Sequence, residues 1–170
     1  MPEDTCEKSR FQDLPWGEKL LLWAFRQWVD TNKNPGGQQA TLRKAFCLAG
    51  IEEGYLALDE LLTVIAVSAN TTINVACPRS AGVTEDEGAL IGVVASLQRS
   101  DLATSSRLLA CWLPPSAVRV AQTAAARLAR IMALGGLTLR SSFIMEPPRE
   151  DGPARASLWL GDKSRPATLH

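Results

Sequence analysis

The chain has 170 residues, 46% of them hydrophobic and 21% charged, with 18 basic and 18 acidic side chains and a pI near 6.6. Zero net charge argues against a nucleic-acid coat or a basic membrane-surface protein. The apolar fraction is too high for a disordered chain, and the length suits one domain that can bury a core without staples.

Met1–Lys8 is polar and acidic and lacks the apolar stretch of a secretory leader. Residues 1–13 read as a flexible lead. The first helix is expected from Pro15 to about Thr31, because proline suits a first turn where its missing N–H costs nothing. At about 100° per residue, Leu21, Leu22, Phe25, Trp28 and Val29 share one side, with Lys19, Arg26 and Asp30 opposite. Trp16 and Trp23 fall off that apolar arc, beside Lys19 and Gln27. Asn34-Pro35-Gly36-Gly37 breaks the chain.

A second helix is expected over about Gln39 to Ala49, with Gly50 as a left-handed cap. A third runs from about Glu53 to Ala69. Its Leu61–Val67 stretch is apolar nearly all round, which predicts a central position. That uncharged stretch extends to Cys77 but contains Asn70, Thr71, Thr72 and Asn74, so it is rejected as a membrane span. Cys77-Pro78 and Gly82 then interrupt the chain.

Thr84-Glu85-Asp86-Glu87 forms a capping box, with acids at the positive end of the helix dipole. The fourth helix should run to about Arg99, with Leu90, Ile91, Val94 and Leu97 inward. Ser100 or Asp101 caps a fifth, ending near Trp112. Pro114-Pro115 stops it and opens a sixth, from Pro115 to Leu134, closed by Gly135-Gly136. Leu137 to Met145 reads as an extended segment packed on the core. Residues 146–170, with four prolines and mixed charge, read as a flexible tail. The expected fold is therefore all-α, a compact bundle of five to six antiparallel helices over residues 14–145, with flexible ends. The alanine face of the sixth helix (Ala117, Ala121, Ala124, Ala125) permits close approach to the central third helix.

No catalytic residue, cofactor or metal site is assigned. His170, the single histidine, is the last residue, so a nucleophile has no imidazole base on the folded domain. Glu52-Glu53 and Asp59-Glu60 are adjacent carboxylates of the kind that make a solvated helix face; acid–base chemistry needs them opposed across a cleft. The cysteines (Cys6, Cys47, Cys77, Cys111) form no CxxC pair. They read as free thiols in a reducing, cytoplasmic setting, and a buried free cysteine behaves as a small hydrophobe. Cys77-Pro78 leaves open a thiolate-based redox, haem or metal sensor.

Between Leu102 and Met145 there are five arginines and no acid, whereas residues 1–60 hold ten acids and seven bases. With Arg119 at zero, Arg130 and Arg127 fall at about 20° and 80° on the sixth helix, and Val120, Ala121, Ala124, Leu128, Ile131 and Met132 occupy roughly 100° to 220°, a basic amphipathic helix. A helix-turn-helix around Gly50 would put Glu52, Glu53, Asp59 and Glu60 on its second helix, where they repel phosphate, so nucleic acid is not the expected partner. Trp16, Trp23, Arg119, Arg127 and Arg130, with the tail island Leu158-Trp159-Leu160, are the candidate partner-binding residues, since aromatics and arginine dominate interface hot spots. The expected function is a non-enzymatic accessory or adaptor protein that contacts another protein or a second copy of itself. A sensor based on Cys77 and a carboxylate-dependent enzyme are the alternatives.

Overall fold

The computed structural model describes residues 10–33 and 39–140. These form a short 3-10 turn (Phe11–Asp13) and six helices: α1 (Trp16–Lys33), α2 (Gln39–Leu48), α3 (Glu52–Ser68), α4 (Glu85–Gln98), α5 (Leu102–Ala110) and α6 (Pro115–Leu134). The fold is an all-helical bundle, and no helix among the described residues is long and apolar enough to cross a membrane.

The local signals that start and stop the helices are the expected ones. Thr84 accepts from the Glu87 N–H while the Glu87 side chain takes the Thr84 N–H, a complete capping box. Asp101 caps α5 by accepting from the Thr104 N–H at 2.9 Å. Pro115 occupies the first turn of α6. Gly50 follows α2 with φ +73°, a conformation that favours glycine. After α6 the work divides: Gly136 carries the positive φ of +75°, whereas a Cβ on Gly135 would lie 2.3 Å from the Ile51 Cγ2. Gly135 is thus a close-approach position and Gly136 the turn.

Packing departs from the expected arrangement in three places. The most enclosed helix is α4, where every residue from Glu87 to Ser96 except Ala89 is buried. The third helix is not apolar to the core all round. Leu58, Leu61, Leu62 and Ile65 are buried, but Leu56 and Val67 lie 62% and 81% exposed on a stripe shared with Glu53, Glu60 and Thr63. Arg26, expected on the outer side of α1, is 1% exposed. A helix of bulk leucine and phenylalanine leaves one position deep against α4, and Glu87 makes a cation tolerable there.

Helix α6 packs on α3, α4 and α5. Ala117, Ala121, Ala124 and Ala125 are all buried, as their small side chains permit close helix approach. Three of the five connections are short; the exception that matters is the one over residues 69–84, which runs without helix between α3 and α4. Polar contacts fix it: Asn70 N–H to the Trp112 carbonyl at 2.9 Å, Asn74 N–H to Asp86 at 2.7 Å, and Ala76 N–H to Glu87 at 3.0 Å. Residues 10–13, placed in the lead from sequence, join the fold here through the Phe11 N–H to the Ala81 carbonyl at 2.8 Å. At the other end Leu137–Arg140 runs without helix or strand, and Leu139 is buried, so the start of that segment packs on the core.

Candidate functional site

Helices α3 and α6 lie side by side, and the Glu60–Arg127 ion pair sets their register. Two turns along α3 from Glu60 is Val67; two turns back along α6 from Arg127 is Val120. In the opposite direction the same steps reach Glu53 and Leu134. A groove of about 510 Å³ confirms this end of the register, lined by Glu53, Leu56, Arg127, Arg130, Ile131 and Leu134. The helices are therefore antiparallel, with apolar side chains at both ends of their shared outer face and an ion pair between.

Seven large apolar side chains are left exposed among the described residues: Trp16, Leu48, Leu56, Val67, Leu102, Val120 and Leu134. Four of them, Leu56, Val67, Val120 and Leu134, fall on this one face, which distinguishes it from singly scattered surface hydrophobics. The charges are segregated as well. Helix α3 carries Glu52, Glu53, Asp59 and Glu60 and no base; α6 carries Arg119, Arg127 and Arg130 and no acid. Glu53, Arg119 and Arg130 have no ion-pair partner among the described residues, and all three are exposed.

The expected partner-binding residues are thus only partly brought together. Arg119, Arg127 and Arg130 do share the outer side of α6. Trp16 is 64% exposed at the start of α1, but Trp23 packs against the core, so the two do not make one exposed aromatic pair. Leu158, Trp159 and Leu160 lie outside the described residues. The apolar members of the α3/α6 face escaped sequence reasoning because Val67 and Val120 read as core positions and Leu56 continues the same apolar helix. The available signal was the width of the apolar arcs, which exceeds what one buried stripe needs.

Three of the four candidate carboxylates have structural partners. Glu52 pairs with Arg43 at 3.8 Å, Asp59 accepts the Trp28 indole N–H at 2.7 Å, and Glu60 pairs with Arg127. The groove contains a single carboxylate, Glu53. The thiols correct an expectation: Cys47, Cys77 and Cys111 are free but exposed, not buried as small hydrophobes. Each sits at an element end or in a loop, where no core side chain covers it. No group of three or more His, Cys, Asp or Glu side chains suited to a metal ion occurs among the described residues.

The most deeply buried charges lie elsewhere. Arg26 forks onto Glu87 through Nε (2.8 Å to Oε1) and Nη2 (2.9 Å to Oε2), and both side chains are fully buried. Nη1 and Nη2 also donate to the Ser80 and Gly82 carbonyls at 2.8 and 2.6 Å. Glu87 in turn accepts the Ala76 and Thr84 N–H groups at 3.0 and 2.9 Å, and the guanidinium lies 5.5 Å from the Phe11 ring centre. Every polar atom of this pair is engaged with the protein itself, which marks a structural clamp rather than a substrate site.

Compared with protein-family models, with curated proteins and with solved structures, the chain matches none.

Proposed function

We propose that this chain is a non-enzymatic accessory or adaptor protein that acts through protein–protein contact, with the outer face of α3 and α6 as its contact surface. The observation that carries this reading is the collection of Leu56, Val67, Val120 and Leu134 on one face, with Arg130, which has no ion-pair partner among the described residues, beside Leu56 and Leu134. Exposed apolar groups gathered with arginine are what an interface core uses, whereas isolated ones are ordinary. A reducing, cytoplasmic setting fits the three free, exposed thiols.

Native mass spectrometry on tagged protein, purified gently from its own cells, tests the proposal. The wild-type chain is expected to carry an added polypeptide mass. The Leu134→Glu variant, altered at a position 78% exposed, is expected to keep its fold and lose that mass. Bare monomers for both proteins, or the same added mass on both, would contradict the proposal.

A further inference from the structure

We infer that the α3/α6 face is self-complementary and that its occupant is a second copy of this chain. The inference rests on the contact reading above and names its partner. A single charge sign on each side of the face is the starting point: Glu53 and Glu60 with no base along α3, and Arg119, Arg127 and Arg130 with no acid along α6. A partner with one uniform charge would be attracted to one helix and repelled by the other. A second copy meets both requirements if a two-fold axis runs along the groove between the helices. That axis lays α3 of each copy on α6 of the other, acid on base twice over, in a closed isologous pair. The alternative two-fold, α3 on α3, sets Glu53 and Glu60 against their own kind.

The apolar groups obey the same operation. An axis along the groove preserves height along the helices. Leu56 and Leu134 of one copy then meet Leu134 and Leu56 of the other, and the Val67–Val120 end meets its own equivalent. The Glu60–Arg127 pairs of the two copies close into a ring of four alternating charges, and Glu53 gains reach to the second copy's Arg130. Two helices of this length, about 25 Å long, offer on the order of 500 Å² a side. That sits at the low end of specific interfaces, the size class of weak and transient contacts.

Sedimentation velocity on the full chain, over roughly 1–300 µM, tests the inference. The mass is expected to rise from 18.4 kDa toward twice that value. The double variants Glu53→Arg/Glu60→Arg and Arg127→Glu/Arg130→Glu should each sediment as monomers, since each places like charges across both contacts. Mixed in equal amounts, they should recover the dimer, because opposite signs again face each other. Leu134→Glu, which breaks no ion pair, should also be monomeric. A wild-type chain that stays monomeric throughout overturns the inference, as does a dimer indifferent to all of these changes. If a monomeric wild type still captures another polypeptide and Leu134→Glu does not, the contact reading stands and the second copy falls. If no capture depends on Leu134, both fall.

Discussion

Glu18 shows how one buried carboxylate gives the protein a pH signature. It is fully buried in the first turn of α1, where Oε1 accepts the Arg140 N–H at 2.7 Å and Oε2 has no hydrogen-bond partner among the described residues. Desolvation raises its pKa above the ordinary 4.5, and the Arg140 hydrogen bond and charge offset only part of that rise. The folded protein therefore holds this proton more tightly than the unfolded chain. Its favourable contribution is complete below pH 4.5 and is lost as pH rises through the elevated folded value. Asp101 has the opposite sign: the Thr104 N–H holds its carboxyl below the usual range, so its contribution fades as pH falls. Glu18→Gln keeps an acceptor for the Arg140 N–H and abolishes the titration. Thermal unfolding midpoints followed from mild acid to neutral pH should fall in the wild type relative to Glu18→Gln. Parallel curves would mean that Glu18 does not titrate in the fold. Sequence offered no hint of this group, because the extended segment that covers it arrives 122 positions later.

At the scale of elements, the Arg26–Glu87 clamp decides how the long connection between α3 and α4 is held. One guanidinium and one carboxylate gather α1, the N-terminus of α4 and the carbonyls of Ser80 and Gly82. Removing one partner strands a desolvated charge and several backbone groups, which costs about 3–5 kcal/mol. Arg26→Met should therefore lower the unfolding free energy by that amount, read in denaturant titration as a lower midpoint at unchanged m-value. A loss near that of an exposed pair, below about 1 kcal/mol, would contradict the burial described here. The helix ends around this clamp were legible because caps are local: Thr84-Glu85-Asp86-Glu87, Asp101 and Pro115 each act within four residues. The clamp was not legible. A helical wheel places Arg26 at the polar edge of the apolar arc, one turn from Leu22, and cannot see that α4 supplies Glu87 on that side. Glu87 itself had a sufficient local role in the capping box, which hid its longer-range one.

At the scale of the whole molecule, periodicity was enough for the all-helical architecture, since six amphipathic or capped segments leave no alternation for strands. It did not decide which helix is central. Both α3 and α4 are apolar through most of their length, and only the packing of α1, α5 and α6 encloses α4 and leaves Leu56 and Val67 of α3 outside. The arginine face of α6 was legible from spacing, whereas the groove beside it needed the register that Glu60 and Arg127 set. On the proposal made above, the molecule makes its contacts through this face, with a copy of itself in the first instance. Backbone amide NMR shifts of the full chain, followed on dilution through the micromolar range, test it most directly. Concentration-dependent shifts are predicted on α3 and α6, at Glu53, Leu56, Val67, Val120, Arg130 and Leu134, with α2 and the buried core of α4 unmoved. Shifts centred on Trp16 and the start of α1, or a spectrum that does not change with dilution, would contradict it.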